Sequence, residues 1–226
     1  MAHGHAVSAE KYNETNPAPH HFGHHFESAE HEFSSAKQGM WIFMVTEVLM
    51  IGAIFVGYLL FRLRFPEAFH EAHKELNVKL GALNTVILII SSATMVLGVS
   101  AAQRGNNKRA IRMLFSTVFL GGCFCVVKYF EYTHKFHEGI FPGGFYHFEG
   151  LTVPHAPLFF TFYFMMTGVH AFHVLVGMSL ILWTITRIKR GQISKQYFTP
   201  VELVGFYWHF VDLVWIYLFP LLYLLG

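Results

Sequence analysis

Seven acids and histidines stand inside stretches of the chain that otherwise exclude charge: Glu47, Glu131, His170, His173, Glu202, His209 and Asp212. His170 and His173 are three residues apart, so on a helix they share a face. Histidine is the common ligand of haem and of copper, which makes metal ligation one chemistry this pair could perform. Two histidines on one helix cannot supply both axial positions of one haem, however, and a partner such as His209 would be needed. Inter-helix hydrogen bonding is the plainer use, with Gly168 and Gly177 on either side allowing a second helix to approach. Glu202, His209 and Asp212 follow at intervals of seven and three, which lays them along one helical stripe. Asp212 is placed to accept a hydrogen bond from His209 or another donor; a proton relay, a headgroup-binding groove and a structural polar seam all fit that stripe. Lys128 and Glu131, again three apart, read as an ion pair. No P-loop, GxSxG elbow, CxxCH haem attachment or HExxH helix is present, so the chain shows no catalytic constellation of its own.

The elements that carry these residues follow from composition. Of 226 residues, 54% are hydrophobic, 17% aromatic and 13% charged, with a formal net charge of +2. A soluble domain could not cover that much apolar surface, which excludes a soluble enzyme, a nucleic-acid-binding domain and a disordered regulator. The apolar residues come in blocks, Met40 to Phe61, Leu80 to Ala102, Met113 to Val127, Pro157 to Thr186 and Leu203 to Leu225. Most reach the ~20 residues that cross a hydrocarbon core as a helix; the third is shorter and is extended through Glu131. An all-α membrane protein with a five-helix transmembrane bundle is expected, since every backbone donor must be satisfied within lipid and the alternating pattern of a barrel is absent. No helix pair repeats, which sets the chain apart from inverted-repeat transporters.

Glu47 falls seven residues into the first block, roughly 10 Å below its start at about 1.5 Å per residue. At that depth it must be neutral or face the bundle interior, where a cation, a headgroup or water meets it. Cys123 and Cys125 are about 200° apart around their helix, a spacing that suits neither a local disulfide nor a shared metal. Arg104, Lys108, Arg109 and Arg112 fill the second loop, and Arg187, Lys189, Arg190 and Lys195 the fourth. The first and third loops dilute their Arg62, Arg64, Lys74, Lys79 and Lys135 with Glu67, Glu71, Glu75, Glu138 and Glu149. The positive-inside rule then sets the N-terminus in the cytoplasm and the C-terminus on the periplasmic side.

Residues 1–37 read as a His-rich soluble tail ahead of a membrane domain over 38–226. The tail holds His3, His5, His20, His21, His24, His25 and His31 with no fixed tetrahedral spacing, and a mobile extension is expected rather than a metal site. Its end, Glu27 to Gln38, suits an interfacial helix preceding the first crossing. No signal peptide precedes the first apolar block.

Three segments carry a resemblance. Trp41-Ile-Phe-Met-Val-Thr-Glu47, Gly168-Val-His170-Ala-Phe-His173-Val-Leu-Val-Gly177 and Tyr207-Trp-His209-Phe-Val-Asp212-Leu-Val-Trp215 resemble, in order and separation, the signatures of subunit III of haem-copper oxidases. The likeness covers about residues 37 to 226 and matches the short form that lacks the first two of seven helices. The resemblance implies an accessory subunit of an aerobic terminal oxidase, a proton-pumping oxidoreductase, with no redox centre or metal in this chain. Haem and copper would reside in partner subunits I and II. It also implies a cleft that binds phospholipid, support of proton uptake by subunit I, and protection of that subunit during turnover. By this likeness Glu47 faces the cleft; Glu131, His170, His173, His209 and Asp212 form a structural polar network; and Arg187 and Glu202 meet lipid headgroups. Where the family often has His-Phe-Gly-Phe-Glu, this chain reads Tyr197-Phe-Thr-Pro-Val-Glu202, so the headgroup contacts there differ. The bacterial inner membrane is the expected location, and membership of a larger respiratory supercomplex is left open. Alternatives are subunit III of a quinol oxidase, an accessory protein of nitric oxide reduction and, from another class, a stand-alone membrane cytochrome or a transporter.

Overall fold

The structure, a computed structural model, describes residues 29–141, 153–195 and 197–225. His3, His5, His20, His21, His24 and His25 of the tail, and Glu149 of the third loop, lie outside the described residues. Among the described residues the fold is all helix: α1 (Ala29–Arg64), a short α2 (Pro66–Ala72) closed by a single 3₁₀ turn, α3 (Val78–Gln103), α4 (Asn107–His137), α5 (Ala156–Lys189) and α6 (Thr199–Phe219), the last ending in a π turn over Pro220–Leu224. Five of these elements are long and apolar enough to cross a membrane. They alternate in direction, so α1, α4 and α6 start at one end of the bundle, called here the near end, and α3 and α5 start at the far end.

Local chemistry fixes the ends. Asn77 caps α3 by accepting from the amides of Lys79 and Leu80 at 3.1 and 3.3 Å, and Asn106 caps α4 through Arg109 at 3.1 Å. Both side chains satisfy amides that have no carbonyl partner in a first turn. Proline stands in the first turn of α2, α5 and α6, where its missing N–H is no loss. α3 and α5 stop in Schellman turns on Gly105 and Gly191, at φ +74° and +71°, a backbone region that a side chain would strain. The third block of the sequence runs on as α4 to His137, past Glu131 where it was expected to end, because Lys128, Glu131 and Lys135 find partners inside the protein. The segment ahead of the first crossing also differs from expectation: residues 29–38 are continuous with the crossing in one helix of 36 residues.

Helices α3 to α6 form the packed body. Trp208 and Trp215 of α6 are completely buried. Trp208 inserts where two glycines leave room: a Cβ on Gly177 of α5 would stand 2.8 Å from its ring, and one on Gly121 of α4 2.9 Å. Its indole N–H donates to Ser91 Oγ at 3.1 Å, and that of Trp215 to Thr85 Oγ1 at 3.1 Å, pinning α6 to α3. Gly168, by contrast, has no neighbouring atom in reach of a Cβ and receives no helix.

α1 stands apart. Only 6% of its most apolar stretch is buried, against 56% for the last helix. At its far end Tyr58 is fully buried among Phe69, Phe159 and Phe162, and its hydroxyl donates to the Leu221 carbonyl at 3.1 Å.

Candidate functional site

Between α1 and the α5–α6 face lies an open groove of about 480 Å³, lined by Met40, Phe43 and Glu47 on one side and by Phe172, His173 and Tyr207 among others opposite. Polar contacts bracket and floor it. At the near end Lys37 Nζ is 3.0 Å from Glu202 Oε1, and the same ammonium lies 4.3 Å from the centre of the Phe33 ring, itself edge-on to Phe198. At the groove's far end His173 Nε2 is 3.0 Å from Glu47 Oε2, and Tyr207 donates its hydroxyl to the His173 carbonyl at 3.3 Å.

The hydrogen bonds of His173 assign its protons. Nδ1 lies 2.7 Å from the Val169 carbonyl, which can only accept, so Nδ1 carries a hydrogen. Nε2 then either receives a proton from the Glu47 carboxyl or offers one to its carboxylate. In both cases one proton lies between the two groups and the pair has no net charge, the condition under which an acid and a histidine are tolerated at this depth.

A second polar cluster sits in the far half of the body. Lys128 Nζ is 2.9 Å from Glu131 Oε2 and 2.7 Å from the Tyr223 hydroxyl, which in turn donates to Glu131 Oε1 at 2.6 Å. The three groups close a triangle in which each charge is met. The ammonium also lies 4.8 Å from the centre of the Trp215 ring, so a face of electron-rich carbon completes its surroundings. Tyr163 and Tyr132 extend the cluster onto α5, Tyr132 bonding the Thr167 hydroxyl. At the far end Lys135 Nζ reaches the Glu75 carbonyl at 2.6 Å and Glu138 Oε2 at 3.0 Å, holding the α2–α3 connection against α4.

The five residues expected to form one polar network are therefore divided. Glu131 belongs to the Lys128 triangle and His173 to Glu47. His209 does not bond Asp212: its Nδ1 is 2.7 Å from Ser92 Oγ of α3. Asp212 is buried, and the hydroxyl of Ser92 is the hydrogen-bonding neighbour of its carboxylate, at a geometry too loose for a full bond. His170 does not hydrogen-bond a neighbouring helix either. Both its ring nitrogens are buried without a partner among the described residues, and the imidazole packs as an aromatic ring 5.4 Å from Phe124 and 5.1 Å from Trp215. Among the described residues no three His, Cys, Asp or Glu side chains gather as a metal ion requires. Arg187 lies at the near end of α5, its Nε donating to Gln192 at 2.9 Å and its guanidinium 4.9 Å from the centre of the Trp183 ring.

Sequence spacing missed Lys37, Ser92, Tyr163 and Tyr223. The hydroxyls are hidden in apolar runs, although Tyr163, Thr167 and His170 do recur at helical intervals on α5. Lys37 was assigned to the tail because its partner lies 165 positions away.

Fold and geometry together define a class: an integral membrane protein of five crossing helices, in which Glu47, Glu131 and Glu202 are each met by a histidine or a lysine and whose first helix stands off to leave a groove. The profile of the cytochrome c oxidase subunit III family matches residues 19–226, and the chain belongs to that family. It is 32% identical over 191 residues to cytochrome c oxidase subunit 3 of Thermostichus vulcanus, covering 83% of this chain and 86% of that one. With quinol oxidase subunit 3 of Bacillus subtilis it shares 27% over 193 residues, at the same coverage. A third relative is the heme-copper oxidase subunit I+III of Aeropyrum pernix, 29% identical over 194 residues; the match takes in 83% of this chain and 22% of that longer one.

Proposed function

We propose that this chain is the non-catalytic subunit III of an aerobic cytochrome c oxidase in a bacterial inner membrane, with its N-terminus in the cytoplasm and its C-terminus in the periplasm. It packs beside subunits I and II, which hold the haem and copper, and it keeps subunit I supplied with protons and intact during oxygen reduction. The observation that carries the reading is the groove between α1 and α5–α6. Its walls are apolar, the Lys37–Glu202 pair lies just beyond the Met40 and Leu203 that line its near end, and a phospholipid acyl chain laid in it runs toward the Glu47–His173 pair. Support for the association with subunit I comes from the Aeropyrum relative, named as a fusion of I and III. Fusion turns association into an intramolecular event, and it is productive only when the two parts dock.

Quinol oxidase is the second reading, because relatives bear both names. The donor is chosen by the copper centre of subunit II and not by this chain. The test is gentle solubilisation of native membranes, isolation through a tag on this chain, mass spectrometry of its companions and a reduced-minus-oxidised spectrum. Companions with haem a or o and oxygen-reducing activity are expected, and copper in subunit II then selects cytochrome c over quinol. A chain that emerges alone, with haem absorbance of its own, would overturn the proposal.

A further inference from the structure

The two ends of α1 are held in different ways. At the far end Tyr58 is buried against Phe69, Phe159 and Phe162, while Phe61 lies 5.4 Å from the Phe162 ring and Phe65 4.4 Å from that of His155. Just beyond, α2 buries Ala68, Phe69 and Ala72 in the same cluster, so α1 cannot leave the body there without unpacking it.

Nearer its start α1 meets the body along a single stripe, Phe33, Lys37, Met40, Met44, Glu47 and Ile51, at intervals of three and four. Neither side of the stripe is buttressed. The lipid groove opens on one side, and a smaller cleft of about 30 Å³ opens on the other, where Trp41 and Met44 face Phe206. Under Ile51, Ile54 and Phe55 a gap of about 10 Å³, room for one water, separates the helix from α5 and α6. Detaching this half costs little, because its apolar side chains pass from protein to lipid of the same polarity and a half-exposed ion pair holds weakly.

Between the stripe and the Tyr58 anchor stands Gly52, with no atom within 4 Å of where a Cβ would lie. Lacking a side chain to restrict its backbone, glycine is where a helix yields most readily to bending. Lys37 stands fifteen residues from Gly52, a lever of ~22 Å at ~1.5 Å per residue, so a bend of only ~10° carries it sideways by about 4 Å. That parts it from Glu202, now 3.0 Å away, whereas Glu47, ~7.5 Å from the glycine, moves by only ~1 Å and keeps His173 within reach.

We propose that α1 is a hinged gate of the groove. It bends at Gly52 above the Tyr58 anchor, with Lys37–Glu202 as its latch, and swings its near half off α5 and α6 to pass a phospholipid acyl chain in and out. The inference rests on the reading of the groove as a phospholipid site and adds how that lipid enters.

The test uses the intact complex in phosphatidylcholine nanodiscs, with spin labels on Val45 and Leu175 across the groove and, in a second preparation, on Leu60 and Thr161 at the far end. A broad distance distribution across the groove and a narrow one at the far end are expected. Equal widths would make α1 a fixed wall and overturn the proposal. Gly52→Ala supplies the second measurement, because the open space at Gly52 accepts a methyl group and the helix only becomes stiffer. It should narrow the Val45–Leu175 distribution and slow the exchange of a spin-labelled phosphatidylcholine about 2- to 5-fold, the advantage of alanine over glycine within a helix. Lys37→Met, which removes the latch, should widen the distribution and speed the exchange. Gly39→Ala, the same change on the far side of the label from the hinge, should do neither. Unchanged width and exchange in Gly52→Ala would overturn the hinge. A groove that responds to both variants but holds no labelled lipid would instead overturn the phospholipid reading, and the gate's role with it.

Discussion

α1 and the α4–α6 body solve the same problem, polar groups in an apolar solvent, in opposite ways. In the body, Lys128, Glu131 and Tyr223 are sealed from solvent and enclosed by Trp215 and Tyr163, so the charges are satisfied at the cost of fixing three helices. On α1, Lys37–Glu202 and Glu47–His173 are isolated contacts beside an open groove, and most apolar side chains face outward. Lipid tails are as apolar as leucine, so burying α1 against the body would gain no hydrophobic free energy; its position is left to packing and a few hydrogen bonds. A groove wall hung on a few contacts can move. A bundle closed around a buried ion pair cannot.

Breaking the body should have the largest effect. Lys128→Met strands Glu131 in an apolar interior and is expected to cost about 3–5 kcal/mol, with the double variant Lys128→Met/Glu131→Leu recovering most of it; thermal unfolding of the purified chain in detergent measures both. Gly177→Val comes next, since the new side chain meets the fixed Trp208 ring, and about 1–3 kcal/mol of overpacking is expected by the same assay.

The α1 contacts should move function more than folding. Glu47→Leu leaves His173 Nε2 without its partner, worth about 0.6–2 kcal/mol for an interhelical hydrogen bond in lipid. A spin-label pair across the groove, on Val45 and Leu175, should show a broader distance distribution, while the body unfolds within a degree or two of wild type. Glu47→Gln should assemble normally, and its initial oxidase activity should persist while turnover endurance or bound lipid changes. Complete loss of initial activity would contradict a supporting role for Glu47. Smallest of all, Lys37→Met removes a half-exposed pair and should alter stability by less than about 1 kcal/mol, detectably only at low salt.

Much of this was legible beforehand. Apart from Leu225, which stands just past the last helical turn, each of the five apolar blocks lies within the helix it was expected to form, because crossing a hydrocarbon core demands about twenty apolar residues in one run, a property of local sequence. The Lys128–Glu131 pair was legible too, since residues three apart on a helix are neighbours wherever the helix goes. The His209–Asp212 bond, drawn from the same spacing, failed. A shared face brings two side chains near each other, but Ser92 of α3 offers His209 a better-placed partner.

What the sequence by itself determined is the set of helices, the face that polar residues three or seven apart share and the signatures of the family. Only the tertiary structure decided which faces meet. Glu47 finds His173 across 126 positions, Lys37 finds Glu202 across 165, and Trp208 finds the two glycines that admit it. The reason is that helix formation depends on bonds within four residues, whereas the rotation and spacing of helices are set by side-chain volumes and hydrogen bonds between segments remote along the chain.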